Sequence, residues 1–231
     1  MLIVLLFICG SCLGSLLCLI AERLPTYRSL LAPRSHCLSC QQSLRFYELI
    51  PIISIVIQKF QCRYCHNRIP VSYFVAEVFT GVVTVNVFIH GYSLTALYYW
   101  LLIMSGFTLA LADYWFFIVE GKILYPAFMS IFLLHGYLNQ PFHLLSSCLL
   151  SSLLLSAVYF FPEAIGLGDV LLVGLWSFLF DWSEMMLLLF TASTSGLLFL
   201  QLAFFLRQKI WRKIPFVPFL FFGLLVCLYL R

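Results

Sequence analysis

The chain has 231 residues, 63% hydrophobic and only 10% charged, with a mean hydropathy of +1.05. A soluble domain carries about 25% charged residues, so this composition excludes a water-facing globule and leaves the bilayer as the fitting solvent. The net charge of +4 is modest, and its placement along the chain says more than its sum.

Residues 1–20, MLIVLLFICGSCLGSLLCLI, lack a basic opening and a small-residue cleavage site, which predicts a retained first span and not a cleaved signal peptide. A polar stretch follows over 21–72. Beyond it, apolar runs near the ~20 residues that a spanning helix needs recur at 73–91, 94–112, 118–136, 143–161, 166–180, 184–206 and 214–230. The 166–180 run is the shortest and carries Asp169 near its start.

Basic residues mark cytoplasmic loops. Arg23, Arg28, Arg34, Arg45, Lys59, Arg63 and Arg68 lie in the first loop, and Arg207, Lys209, Arg212 and Lys213 between the last two runs. All fall on one side only with eight spans and the amino terminus outside, and Lys122 joins them. The turns near Gly91–Tyr92, Gly136–His143 and Asp181–Ser183 contain no Lys or Arg, and only Arg231 lies outside. The expected fold is an all-α polytopic membrane protein of about eight transmembrane helices with a cytoplasmic zinc-knuckle loop. Its division is 1–20 (first helix), 21–72 (loop) and 73–231 (seven-helix membrane domain). The sequence shows no internal repeat.

Cys9, Cys12, Cys18, Cys148 and Cys227 sit in apolar runs, as small hydrophobic residues do. Cys37, Cys40, Cys62 and Cys65 instead form two C-x-x-C pairs in the polar loop. Two such knuckles complete a tetrahedral Cys₄ zinc site. The alternative of two disulfides is disfavoured in the reducing cytoplasm. A closed Cys₄ site has no open coordination position, so its zinc is structural. His36 and His66, each beside a cysteine, are expected on the loop surface, although either could replace a thiolate.

A carboxylate within a span is costly unless paired, neutralised or facing water, and so marks function by default. Glu22 and Glu48 belong to the loop and Asp181 and Glu184 to an outer turn, where solvation is expected; Glu120 and Glu163 lie at helix ends. Glu77, Asp113 and Asp169 remain. Asp113 closes the third span and Asp169 opens the sixth, which puts both at one membrane level on the cytoplasmic side. Two carboxylates so placed can share a proton and activate water. Gly166 and Gly168 before Asp169 permit a tight turn or close helix approach. A bland alternative is a pair of helix-end aspartates facing lipid headgroups. A rival class is a small transporter, with Glu77, Asp113 and Asp169 binding protons or cations.

The motifs resemble those of the prepilin leader peptidases. They run from Gly14-Ser15-Leu16-Leu17 and Arg23-Leu24-Pro25 to Arg34-Ser35-His36-Cys37-x-x-Cys40, Leu44, Tyr47 and Leu49-Ile50-Pro51-x-x-Ser54. Cys62-Arg63-x-Cys65, Ile69-Pro70, Tyr73, Glu77, Thr80-Gly81, Ala112-Asp113, Lys122-Ile123-Leu124 and Gly166-Leu167-Gly168-Asp169 follow in order. The resemblance implies an eight-span G-x-G-D aspartic protease of the bacterial plasma membrane, with Asp113 and Asp169 catalytic on the cytoplasmic side. Such enzymes cut the basic leader from type IV pilins or pilin-like proteins, usually after glycine. Many also N-methylate the exposed residue, often phenylalanine, with S-adenosylmethionine; Glu77 and Thr80-Gly81 belong to that part of the resemblance. Expected partners are prepilins and membrane lipids, with no nucleic acid. Three positions depart from the family pattern. Cys18 stands for an asparagine, Glu120-Gly121 for Pro-Asp or Pro-Asn, and Leu171 for a lysine; the first and last bear on methyl transfer.

Overall fold

The computed structural model describes residues 1–30, 35–37, 39–89, 91–160, 166–206 and 214–230. Glu163, Arg34, Arg231 and the basic residues 207, 209, 212 and 213 lie outside the described residues. The chain is helical: α1 (Leu2–Arg23), α2 (Ile53–Ile57), α3 (Val71–Phe88), α4 (Leu94–Phe116), α5 (Gly121–Tyr137), α6 (Leu144–Phe160), α7 (Leu167–Trp176), α8 (Trp182–Phe205) and α9 (Val217–Leu230). A 3₁₀ turn covers Phe46–Leu49. Among the described residues, β pairing is confined to two isolated antiparallel bridges, His36 with Ser43 and Gln61 with Arg68.

Every expected apolar run holds a helix. α1, α3, α4 and α8, of 22, 18, 23 and 24 residues, are long and apolar enough to cross a membrane. α6, α7 and α9 are shorter apolar helices. The run expected over 166–180 becomes a ten-residue helix, about 15 Å long at 1.5 Å per residue. That is half of a ~30 Å hydrocarbon core. Beyond Trp176 the ladder tightens to i→i−3 bonds, Phe178 N–H to Leu175 and Leu179 N–H to Trp176.

Helix boundaries follow local chemistry. α4 ends where Phe117 turns left-handed (φ 56), and α5 waits until Glu120 can accept from the Lys122 N–H at 3.4 Å. α8 begins at Trp182 through a capping box in which Asp181 and Glu184 satisfy each other's backbone N–H groups.

The chain forms two compact units, Met1–Trp100 and Leu101–Arg231. In the first, α1 and α3 run antiparallel in close contact. A Cβ on Gly14 would collide with the Thr80 side chain, so only glycine permits this approach. Ser11, Thr80 and Thr84 sit in the seam and return their hydroxyl protons to backbone carbonyls of their own helices, which leaves no seam hydroxyl unpaired. In the second unit, α8 and α9 pack antiparallel, with the Cys227 thiol 3.7 Å from the Glu184 carbonyl. The α6–α7 contact carries a buried polar pair, the Ser177 hydroxyl donating to the Ser147 hydroxyl at 2.9 Å.

Candidate functional site

The four loop cysteines converge. Their Sγ atoms all lie within 4.8 Å of one another. Cys37 and Cys65 are 3.8 Å apart and Cys40 and Cys62 4.0 Å. Four thiolates at ~2.3 Å from a tetrahedral zinc stand ~3.8 Å apart, so the cluster fits a metal ion such as zinc. Neither His36 nor His66 belongs to the cluster.

Both knuckles share one backbone pattern. The Cys37 N–H donates to the Gln42 carbonyl, and the Gln41 N–H returns to the Cys37 carbonyl. The Cys62 N–H donates to Asn67 and the His66 N–H returns to Cys62. The next rung repeats as well, Leu44 N–H to Ser35 and Ile69 N–H to Phe60. Gln41 (φ 58) and His66 (φ 56) occupy the same left-handed position. The two knuckles are ten residues long and share only their cysteines in sequence, so their likeness lies in the backbone.

The thiols are unequal. Burial raises the Cys37 thiol, but N–H donors from Cys40 and Ser39 and the neighbouring thiols bring it down to about 6. The Asn67 N–H lowers Cys65, yet desolvation and the other three thiols push it up to about 11.

A cavity of about 630 Å³ opens in the same unit, lined by residues of α1, α3 and the loop that include Glu22, Glu48, Tyr73 and Glu77. Glu77, 5% exposed, accepts the Ile52 N–H at 2.7 Å and also hydrogen-bonds Ser15. Ile52 is left-handed (φ 63, ψ −56), a strained conformation for a β-branched residue. The α3 carboxylate therefore holds the Ile50-Pro51-Ile52 turn in a shape it would not choose, and such strain collects at functional sites. Glu22 accepts from the Tyr73 hydroxyl at 2.9 Å, and Cys18 lies fully buried close enough to feel the charges of Glu77 and Glu22.

Sequence reasoning placed Glu48 in solvent; the structure buries it at 6% exposure. Its Oε2 accepts the Arg45 N–H at 2.8 Å and turns the side chain inward. The S/T-x-x-E pattern that signals such a box is missing because the first position is arginine.

The second unit brings together Asp113 and Asp169, 56 residues apart, close enough for the charge of Asp113 to act on Asp169. Asp113 is 6% exposed at the end of α4. It accepts at 2.9 Å from the N–H of Val217, the first residue of α9 and one of the donors a helix start leaves unpaired. Asp169 is half-buried in the first turn of α7, where the helix dipole favours a carboxylate, and a backbone hydrogen bond from Gly166 steadies it. Each glycine of the motif has a visible reason. A Cβ on Gly166 would press on the Asp169 carboxylate at 3.2 Å, and one on Gly168 would lie 2.7 Å from the Cβ of Val119. Gly168 thus lets α7 start against the segment that follows Asp113. Glu77 belongs to the amino-terminal unit.

Residues 8–91 match the family model Bacterial Peptidase A24 N-terminal domain. That stretch contains both knuckles, Glu48 and Glu77. The chain is also similar to the Prepilin leader peptidase/N-methyltransferase of Bacillus subtilis (strain 168), with 43% identity over 76 residues, 33% of this chain and 31% of that protein. It is 39% identical over 79 residues to the protein of the same name from Myxococcus xanthus (strain DK1622), 34% of this chain and 24% of the relative. A Type 4 prepilin-like proteins leader peptide-processing enzyme of Escherichia coli O78:H11 (strain H10407 / ETEC) matches at 41% over 54 residues, 23% of this chain and 20% of the relative. The matched stretch thus spans less than a third of each of these relatives. Asp113 and Asp169 lie beyond the family-model match. No solved structure matches the chain.

Proposed function

We propose that the chain is a membrane aspartic endopeptidase that removes the leader of type IV prepilins or pilin-like proteins at the cytoplasmic face. The observation that carries this reading is the pairing of Asp113 with Asp169 at the ends of two helices. The relatives' names supply the substrate class.

In the proposed reaction one carboxylate is ionised and takes a proton from water as the water oxygen bonds to the scissile carbonyl carbon. The other, protonated, donates to the carbonyl oxygen. Collapse of the tetrahedral adduct breaks the C–N bond; the leaving amine takes the proton that the first carboxylate received, and the adduct's hydroxyl returns its proton to the second carboxylate, which restores the starting pair. The shared proton belongs to the pair and not to either residue. The Val217 N–H donates to Asp113, and Asp169 sits in the first turn of α7, so each carboxylate has a fixed donor or dipole beside it.

In the same reading Cys37, Cys40, Cys62 and Cys65 hold a structural zinc that shapes the loop. Methyl transfer from S-adenosylmethionine to the mature amino terminus is part of the proposal on the names of the Bacillus and Myxococcus relatives. The test is co-expression with a candidate prepilin, with processing read as the leader-length mobility shift. Processing by the wild-type chain is expected; its absence with every pilin tried would return the transporter reading.

A further inference from the structure

Between residues 39 and 70 the charged residues of the loop are Arg45, Lys59, Arg63, Arg68 and Glu48. Glu48 is buried, whereas the four basic residues are exposed. Among the described residues none of the four lies within ion-pair distance of a carboxylate. Two of them meet at one point. The Arg45 and Arg63 guanidiniums both donate to the Tyr47 hydroxyl, at 3.1 and 3.0 Å. A guanidinium has five N–H donors, so most of them stay available to a second acceptor. Two cations drawn to one neutral oxygen repel each other, and an oxyanion between them relieves that repulsion.

The same segment turns apolar side chains outward. Glu48 of the 3₁₀ turn and Ser54 and Ile55 of α2 line one cavity, which fixes the inner side of both elements. On the outer side, Ile53, Val56 and Ile57 follow the i, i+3, i+4 spacing that puts them on one face of α2. Ile57 is 74% exposed and Phe46 84%. The Phe46 and Tyr47 ring centres are 5.5 Å apart, so apolar surface begins beside the two guanidiniums. Contiguous exposed apolar surface marks a contact face. A second copy of the chain is a poor partner for it, because the exposed charges of its loop are positive too. α1 and α3, each long and apolar enough to cross a membrane, hold the loop at both ends. The apolar phase edged with anions that lies nearest is the headgroup layer of the bilayer. We propose that the outer face of residues 46–57 rests in that layer, its apolar side chains toward the acyl chains, while Arg45 and Arg63 hold the phosphate of an anionic lipid beside Tyr47. This docking surface stands apart from the peptidase reading and requires no catalysis.

The experiment follows amide hydrogen exchange of residues 45–60 in the full chain, by mass spectrometry, in nanodiscs of phosphatidylglycerol or phosphatidylcholine. Exchange should be at least about fivefold slower in phosphatidylglycerol, the contribution of one arginine near an anionic surface. Arg45→Gln and Arg63→Gln should each remove most of that gap. Ile57→Ser, harmless for a side chain in water, should close it too while leaving exchange in phosphatidylcholine near that of the wild type. Metal content and melting temperature report the fold of each variant. If an arginine variant loses its metal, the comparison of the two discs on the wild-type chain decides alone. Inorganic phosphate added to phosphatidylcholine discs should leave exchange unchanged; slowing there would mean that the arginines take free phosphate, and the lipid assignment falls. Slowing by an oligonucleotide in those discs overturns it in favour of nucleic acid. So does equal exchange in both discs, or an Ile57→Ser chain that keeps the wild-type gap.

Discussion

Gly168 and Val119 meet so closely that a Cβ on the glycine would stand 2.7 Å from the Cβ of the valine. The contact ties the first turn of α7, which carries Asp169, to the segment six residues beyond Asp113. Alanine is the better helix former by roughly 1 kcal/mol, but overpacking costs about 1–3 kcal/mol, so the clash should win. Gly168→Ala should lower the melting temperature and prepilin processing together. Val119→Gly in the same chain should restore much of both. A single Gly168→Ala that melts and processes like wild type would show that the contact has slack.

Asp113→Asn and Asp169→Asn should each reduce leader cleavage by about 10²–10⁴-fold or more while abundance in the membrane stays near normal. Asparagine keeps the shape and loses the proton chemistry. The double variant should be no worse than either single one, because residues that act as a unit are non-additive. Glu120→Gln, which keeps an acceptor at the α5 start, should retain cleavage. Near-wild-type processing by either aspartate variant would sink the pair.

Metal analysis should find about one zinc per chain, lost in Cys37→Ser or Cys65→Ser. The thiol shifts add a pH signature. At pH 7.5 Cys37, down at about 6, is mostly ionised, whereas Cys65, up at about 11, holds its proton and must give it up to bind. Zinc binding should therefore release at least one proton, read from calorimetry in phosphate and Tris buffers. As pH falls through about 6, Cys37 is protonated too and affinity should drop further. Binding with no proton release would contradict the unequal thiols.

Orientation is checked by labelling. In a cysteine-free background, a cysteine at Asn139, in the exposed turn between α5 and α6, should react from outside the cell. A cysteine at Lys209 should react only after permeabilisation. Outside labelling at 209 would overturn the eight-span arrangement.

The helices were legible because bilayer-length apolar runs leave little ambiguity, and the two knuckles because cysteine spacing is a direct geometric statement. A shared depth for Asp113 and Asp169 is an expectation from counting spans, since parity sets which helix ends share a side. Other features were hidden for local reasons. α7 stops at Trp176, where the ladder gives way to tighter turns inside the apolar run, which hydropathy does not register. Glu48 is charged and sits in a polar stretch, so composition places it in water; the Arg45 N–H that turns it inward is backbone chemistry. The Glu77–Ile52 bond joins positions 25 residues apart and depends on a left-handed isoleucine that no propensity scale favours.

The matched knuckles carry one more implication. The same backbone mould is cast twice, yet outside the cysteines no position described in both copies holds the same residue: Ser39 stands opposite Tyr64, Gln41 opposite His66, Gln42 opposite Asn67 and Ser43 opposite Arg68. The shared backbone therefore goes with only two common letters in ten and leaves the rest free to differ. In the second copy those letters already form a grip, with Arg63 donating to the Tyr47 hydroxyl at 3.0 Å and its guanidinium 6.0 Å from the centre of that ring. That grip fastens the far end of the loop to the turn beside Glu48, whereas Leu38, which the sequence places opposite Arg63 in the first copy, carries no donor for such a grip.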